Sequence, residues 1–280
     1  LRGGGAGVAP KGAGAADTYR LAHEKSFLQG LASRLPSKRL VCKLQSQVLP
    51  KRLLGWQSRP KLPAKTVEVK ESNMDEHQAL RVMRTMVDGG QLTDPESARG
   101  KLLQTAAHLF RNKGFERTTV RDLAGAVGIQ SGSIFHHFKS KDEILRAVME
   151  ETIHYNTAMM RASLEEANTV RERVLALIRC ELQSIMGGSG EAMAVLVYEW
   201  RSLSAEGQAH VLALRDVYEQ IWLQVLGEAK AAGYIRGDVF ITRRFLTGAL
   251  SWTTTWFRAQ GSLTLEELAE EALLMVLKAD

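Results

Sequence analysis

Proline and cysteine are scarce in this chain, and their positions already limit its possible structures. Five of the six prolines lie in residues 1–73, and none follows Pro95. Because proline interrupts helices, the remainder of the chain is free to form long ones. The two cysteines, Cys42 and Cys180, are too few for a disulfide framework. We therefore expect reduced thiols and a cytoplasmic location.

Several functional motifs are also missing from the sequence. No run of about 18 apolar residues predicts a membrane span, and no secretory signal pattern is recognisable. The chain has no Gly-x-Ser-x-Gly motif, Walker-type loop, His-Glu-x-x-His motif or paired-cysteine motif. We predict that it is not an enzyme and has no catalytic residues, cofactor or metal. An enzyme with scattered catalytic residues on a helical scaffold is one alternative.

Charge is distributed unevenly along the chain. Residues 1–73 contain 14 Lys and Arg against 4 Asp and Glu, whereas residues 97–141 contain 8 against 2. Residues 142–280 are acidic, with 13 basic and 20 acidic residues. A small basic module joined to an acidic body is typical of a phosphate-binding head on a body that does not bind DNA.

The basic first segment, residues 1–73, has little helical periodicity and a Gly/Ala-rich start. Its composition predicts a disordered extension, and translation from upstream of the true start would explain it. A basic arm that adds nonspecific DNA affinity and an organelle transit peptide are alternatives. We also expect residues 74–93 to be poorly ordered, so the predicted extension covers residues 1–93.

Two short helical patterns around a glycine lie in residues 118–141. Thr119 and Asp122 have the spacing of a capping box, and Gly128 predicts the end of that helix. Ile134 and Phe138, four residues apart, predict the buried face of a second helix. Two short helices joined by a glycine turn form a helix-turn-helix, whose second helix can enter the DNA major groove.

The same stretch resembles the DNA-binding segment of the TetR family of bacterial regulators. The matching residues are Thr-Thr-Val-Arg-Asp-Leu-Ala, Val-Gly-Ile, Ser-Gly-Ser-Ile-Phe-His-His-Phe and Ser-Lys-Asp-Glu-Ile-Leu, within about residues 97–145. The resemblance implies a three-helix DNA-binding domain, which we assign to residues 94–141, with Asp94 and Pro95 opening its first helix. Phe135 departs from the family, which usually has a tyrosine there that reaches a phosphate. We expect Phe135 to pack instead.

The DNA-binding candidates are the polar or exposed positions of this motif. Side-chain amides, hydroxyls and imidazoles can contact base edges or phosphates, and a helix N-terminus favours phosphate. Adjacent helical residues point in different directions, so the two neighbouring histidines are unsuited to sharing a metal ion. We expect Lys141 to contact phosphate. The predicted set is Thr118, Thr119, Arg121, Gln130, Ser131, Gly132, Ser133, Phe135, His136, His137 and Lys141.

Residues 142–280 read as helices throughout, which makes the whole protein all-α. Caps are predicted at Ser140, at Asn168 or Thr169, at Asp238 and at Thr264. The apolar run from Met193 to Trp200 predicts a buried helix. The last two helices carry two apolar faces each, which predicts a homodimer, and the TetR resemblance implies a four-helix bundle there. We place Ala249 and Leu250 near its centre.

The stretch from Gly248 to Arg258 with Gly261 to Leu268 resembles one branch of the TetR family. That branch includes repressors of lipid and steroid catabolism that respond to acyl-CoA thioesters. The body also contains aromatic and methionine side chains suited to a pocket, although ordinary core packing would explain most of them. The ligand-binding candidates are Met159, Tyr198, Trp200, Arg201, Trp222, Trp252 and Trp256.

The sequence thus predicts a dimeric, ligand-responsive transcriptional regulator. We expect a repressor that binds a pseudo-palindromic operator and is released by a small hydrophobic or acyl-CoA-like effector. Residues 142–280 would form the helical ligand-binding and dimerisation domain. A helical ligand-binding protein without DNA activity is the second alternative, beside the enzyme.

Overall fold

The computed structural model describes residues 73–278, and every regular element within them is helical. Residues 1–72 of the predicted extension lie outside the described residues. None of the described helices is long and apolar enough to cross a membrane. Ten α-helices follow one another within these residues: α1 Asn73–Asp88, α2 Ala98–Lys113, α3 Val120–Val127, α4 Ser131–Ile134, α5 Lys141–Glu166, α6 Val170–Met186, α7 Gly190–Tyr198, α8 Ala205–Ala231, α9 Val239–Trp252 and α10 Leu265–Val276. Short 3₁₀ turns follow α7, at Trp200–Ser202, and α9, at Thr253–Thr255.

Local capping explains where most helices begin. The Thr169 and Thr264 hydroxyls each accept a hydrogen bond from the backbone N–H three residues on. The residue at that position is a glutamate, and its carboxylate accepts from the backbone N–H of the threonine. Ser140 and Asp238 cap α5 and α9 by accepting from the N–H groups of Glu143 and Ile241 through their side-chain oxygens, without the reciprocal bond. These predicted caps are confirmed. The predicted start of α2 at Asp94 is wrong, because Ser97 is the residue whose hydroxyl accepts from the Gly100 N–H.

Helix α1 corrects the expectation that residues 74–93 are poorly ordered. It packs along α5, and the side chains of Gln78 and Met86 are buried. The Ser163 hydroxyl of α5 donates to Gln78 Oε1 at 3.4 Å. Burial of a methionine such as Met86 contributes roughly 1.5–3 kcal/mol to stability. The sequence alone does not show that α5 provides the surface that buries it. The folded part of the chain therefore begins before the predicted boundary at residue 93.

Two apolar cores hold the described residues together. The first core joins α2, α3, α4 and the first half of α5 to buried residues of α7 and α8, among them Val195, Leu196 and Val211. The second core lies between α6, α8, α9, α10 and the last half of α5, with Trp222 at its centre. Helix α5, about 39 Å long at 1.5 Å per residue, contributes to both cores.

Helix α9 has two apolar faces, as predicted. Leu246 and Leu250 point inward and are buried, whereas Phe245 is 76 % exposed and Trp252 is 65 % exposed. On α10, Met275 is 82 % exposed. Leu250 therefore belongs to the core of the subunit, and its predicted place at the centre of a dimer contact is wrong. Ala249, which is exposed, keeps that place as a prediction.

Candidate DNA-binding surface and ligand pocket

The first helix of the helix-turn-helix, α3, is fixed by reciprocal hydrogen bonds at its start. The Thr119 hydroxyl accepts from the Asp122 N–H at 3.1 Å, and the Asp122 carboxylate accepts from the Thr119 N–H at 2.8 Å. Lys113 of α2 donates to the same carboxylate at 2.6 Å. The Lys113 contact, together with the Thr119 donors, holds the pKa of Asp122 well below its usual value. The predicted capping box is confirmed.

The turn into α4 depends on Gly128. Its φ of 80° lies in the left-handed region, where glycine has no steric penalty. The N–H groups of Gly128 and Ile129 both donate to the Ala124 carbonyl at 2.9 Å, which closes the turn. Ile134 and Phe138 are each 1 % exposed and anchor α4 on the first core. The predicted helix-turn-helix is therefore present, with the predicted residues facing inward.

This packing leaves one side of α4 open to solvent. The exposed predicted residues on and beside it are Gln130, Gly132, Phe135 and His136, and Ser131, Ser133 and His137 are partly exposed. Thr119 and Arg121 are exposed at the start of α3. The structure thus brings the polar candidates of both helices to an accessible surface, with base-reading candidates on α4 and phosphate-binding candidates on α3.

Thr118 and Lys141 have internal roles that the sequence did not reveal. Thr118 is fully buried, and its hydroxyl donates to the Gly114 carbonyl at 2.8 Å. The prediction of a DNA contact by this side chain is wrong. The Lys141 ammonium donates to the carbonyls of Phe115 and Thr118, at 2.8 and 3.0 Å, and lies 4.1 Å from the centre of the Phe115 ring. Two of its three N–H groups therefore fix the turn before α3, and its phosphate contact stays a prediction.

Phe135 is 56 % exposed, so the expectation that its ring packs in the protein is wrong. The helical turn at Ile134 and Phe138 already fills the buried face of α4, and Phe135 points away from it. An exposed aromatic ring among polar residues on this surface can contact apolar parts of DNA, such as the methyl group of thymine.

Arg99 of α2 is a residue that the sequence analysis missed. It donates to the His137 carbonyl at 2.7 Å and to the Thr93 hydroxyl at 3.3 Å. Its guanidinium also lies 3.9 Å from the centre of the Phe138 ring. Arg99 therefore ties the end of α4 to the loop before α2. No signal in the sequence pattern distinguishes it from an ordinary surface arginine.

The seven predicted ligand-binding residues range from buried to largely exposed, and their role stays a prediction. Tyr198, Trp252 and Trp256 are 77 %, 65 % and 49 % exposed, and Arg201 is exposed too. Trp222 and Met159 are buried, and Trp200 packs on the edge of the first core. A cavity of about 420 Å³ lies elsewhere, beside α1, α2, α5 and α7, and none of the seven lines it.

A buried charge cluster surrounds Trp222 in the second core. Arg243, 1 % exposed, donates to Glu219 at 2.9 Å and to Glu181 at 3.4 Å, and stacks 4.2 Å from the Trp222 ring centre. Trp222 Nε1 donates to Glu181 at 3.2 Å, and the Tyr218 hydroxyl donates to the same carboxylate. Burial disfavours the charge on Arg243, but the two glutamates outweigh it and raise the arginine pKa. The cluster is a structural feature of the core rather than an open site.

Known proteins share both parts of this architecture. Residues 102–148 match the family model for bacterial regulatory proteins of the tetR family, and residues 167–279 match that for the tetracyclin repressor-like C-terminal domain. The HTH-type transcriptional repressor KstR2 of Mycolicibacterium smegmatis is 30% identical over 190 residues, which cover 66% of this chain and 91% of the relative.

Two solved structures are also similar. The ketosteroid transcriptional regulator KstR2 of Mycobacterium tuberculosis is 26% identical, with a TM-score of 0.60, and covers 68% of this chain and 100% of its own. A crystal structure described as superantigen pfit is 94% identical, with a TM-score of 0.66, and covers 72% of this chain and 100% of its own. With a relative at 30% identity matched over nearly its whole length, and with both domains recognised, the chain belongs to the TetR family of transcriptional regulators.

Proposed function

We propose that this protein is a dimeric, ligand-responsive repressor that binds a pseudo-palindromic operator. The observation that carries the proposal is the solvent-exposed side of α4, presented by a helix-turn-helix with the predicted caps and turn. In that role Gln130, Ser133 and His136 read base edges, while Phe135 contacts a thymine methyl. Thr119 and Arg121 at the start of α3 contact phosphate. Catalysis forms no part of the proposal.

The exposed apolar face of α9 and α10 supports dimerisation. Ile241, Phe245 and Trp252 of α9 and Leu274 and Met275 of α10 are each about half exposed or more. Exposed apolar side chains on the last two helices are typical of homodimer interfaces, and two-fold symmetry lets one patch serve both subunits. A dimer would place the two α4 helices about one DNA turn apart, as a palindromic operator requires.

We propose a small hydrophobic or acyl-CoA-like effector for the body. The similar KstR2 proteins, one a transcriptional repressor and one described as a ketosteroid transcriptional regulator, support this proposal. The effector needs only to bind more tightly to a dimer in which the spacing of the two α4 helices does not match the DNA. A preference of a few kcal/mol for that state is sufficient to release the operator. Action on DNA also supports a cytoplasmic location.

The test is a gel shift with DNA from upstream of the protein's own gene, over a series of salt concentrations. We expect specific binding whose affinity falls with salt, and a dimer by light scattering at micromolar concentration. Ala249→Glu places two carboxylates near the symmetry axis, so the variant should be monomeric and lose operator binding. Glu165→Gln, on the exposed side of α5, is the matched control and should bind normally. A monomeric wild type, or no sequence-specific binding, would contradict the proposal and favour a ligand-binding protein without DNA activity.

The near identity to a protein described as a superantigen supports a second candidate activity, stimulation of T lymphocytes. The similarity covers the whole of that protein at 94% identity, so this chain contains nearly all of its residues. Folded protein should stimulate T-cell proliferation, and heat-unfolded protein should not. A response no greater than that to an unrelated TetR-family protein would rule this activity out.

A further inference from the structure

The cavity of about 420 Å³ lies where the helix-turn-helix part meets the body. Its walls are largely apolar, with Met83 of α1, Leu103 of α2 and Val148 of α5 among them. Two carboxylates, Glu151 and Glu191, also line it, whereas no lysine, arginine or histidine does so in residues 73–278. An apolar pocket with a few convergent polar groups is the usual form of a small-molecule site. The charge of this lining disfavours phosphates and carboxylates and favours a cation.

Glu151 is the carboxylate available to such a ligand. Glu191 is already paired, with His108 at 3.1 Å and Arg111 at 3.4 Å. Glu151 forms no salt bridge with any described residue, and its oxygens accept only from the N–H and hydroxyl of Thr93, at 3.1 and 2.7 Å. Tyr155, another lining residue one helical turn further along α5, has a hydroxyl without a hydrogen-bond partner among the described residues. A partly buried carboxylate next to apolar walls is stabilised by a counter-ion.

The Glu151 contact is linked directly to the DNA-binding surface. Thr93 accepts from Arg99 through its hydroxyl, and Arg99 donates to the His137 carbonyl at the end of α4. The loop that carries Thr93 lies against Gly100. A Cβ at Gly100 would come within 2.1 Å of the Asp94 carbonyl oxygen, so only glycine permits this close approach. Glu151, Thr93, Arg99 and His137 thus form one chain of hydrogen bonds from the cavity to the turn that follows α4.

We propose that this cavity is an effector site for a small apolar amine. The ammonium group binds Glu151, the apolar part fills the space between α2, α5 and α7, and Thr93 loses its acceptor. Arg99 and His137 then shift, and the protein releases its operator. This inference rests on the proposed repressor function for its regulatory part, but binding at the cavity does not depend on DNA. No described lysine, arginine or histidine lines this cavity to bind phosphate, so the amine site is distinct from any acyl-CoA site in the body.

The test uses three probes with the same apolar chain: octylamine, octanol and octanoate. Calorimetry should show octylamine binding most tightly, octanol weakly and octanoate not measurably. Glu151→Gln keeps an acceptor for Thr93 but removes the charge, so octylamine should bind at least about tenfold more weakly while octanol is unchanged. Glu165→Gln on the same helix should leave all three unchanged. Gln104→Trp, at an exposed lining position, should block both octylamine and octanol.

Hydrogen exchange and gel shifts then test the connection to DNA. Octylamine should accelerate exchange of the Thr93 amide and release the operator from the wild type, but not from Glu151→Gln. Equal octylamine affinity in both proteins, or equal binding of octanoate, would overturn the site. Binding that leaves Thr93 exchange and operator affinity unchanged would overturn its regulatory role. If the protein without ligand fails to bind DNA, the proposed function fails, and the calorimetric result still decides the site.

Discussion

The two cores of this protein are stabilised in different ways. The buried polar side chains beside the first core, Thr118 and Thr152, donate to backbone carbonyls four residues away. In the second core, Arg243 pairs with Glu181, 62 residues distant, and Glu181 also accepts from Trp222. The two buried hydroxyls beside the first core are therefore satisfied locally, whereas the body fixes the packing of α6, α8 and α9 through one charge cluster. Loss of a partner should consequently be far more costly in the body.

The largest effect is expected for Arg243→Ala. Removing the guanidinium leaves Glu181 and Glu219 next to each other with side-chain exposures of only 7% and 16%. An uncompensated buried charge costs about 3–5 kcal/mol. Urea denaturation should show this loss of unfolding free energy. Arg236→Ala, at an exposed arginine before α9, should change it by less than about 0.5 kcal/mol.

A double variant sharpens this first comparison. Glu181→Leu with Arg243→Met replaces one buried ion pair by apolar side chains, so it should recover part of the stability lost by Arg243→Ala. If Arg243→Ala were no more damaging than Arg236→Ala, the cluster would not hold the second core together, and the contrast between the two cores would disappear.

A smaller and equal effect is expected for the helix caps of the two regions. Thr119→Ala in the helix-turn-helix and Thr169→Ala in the body each remove a capping box of the same type. Each should lower the unfolding free energy by about 1 kcal/mol, measured by the same denaturation. A cost that differed several-fold between the two would mean that local capping, and not only the buried charges, distinguishes the regions.

The last comparison concerns pH, because Tyr218→Phe should change how steeply stability falls in alkali. Burial and then the neighbouring Glu181 raise the pKa of Tyr218 well above 10.0. The folded state therefore favours the protonated phenol. This contribution is complete below pH 10 and is lost as the pH rises from there towards the higher pKa of the folded state. Above pH 10 the melting temperature should fall less steeply with pH for Tyr218→Phe than for the wild type. Parallel curves would contradict this assignment.

Local signals made the helix-turn-helix predictable. The Thr119 capping box, the Gly128 turn and the inward pair Ile134 and Phe138 each depend on residues within a few positions of one another, and all are confirmed. The caps at Thr169 and Thr264 were predictable for the same reason. Apolar spacing likewise revealed the two faces of α9, although it could not show which face Leu250 occupies.

Contacts between distant parts of the chain were not predictable. Arg99, Lys141 and Glu151 all look like ordinary surface residues in the sequence, yet they bond to groups 38, 26 and 58 positions away. The run from Met193 to Trp200 was expected to be buried all round, but α7 buries Val195 and Leu196 while Tyr198 is exposed. A pattern of apolar residues records their number and spacing. It does not show which of these apolar side chains other helices will cover.

Helix α7 packs into the same core as the helix-turn-helix. Its Val195 and Leu196 complete the first core, so separating the two would expose apolar surface to water. The link before α7 is a tight turn, in which Gly187 and Gly190 approach the carbonyl oxygens of Gln183 and Ile185. A Cβ there would come within 2.6 and 2.7 Å of those oxygens. We therefore expect α7 and the first half of α5 to move together with the helix-turn-helix in any change of the DNA-binding part, because they share its core.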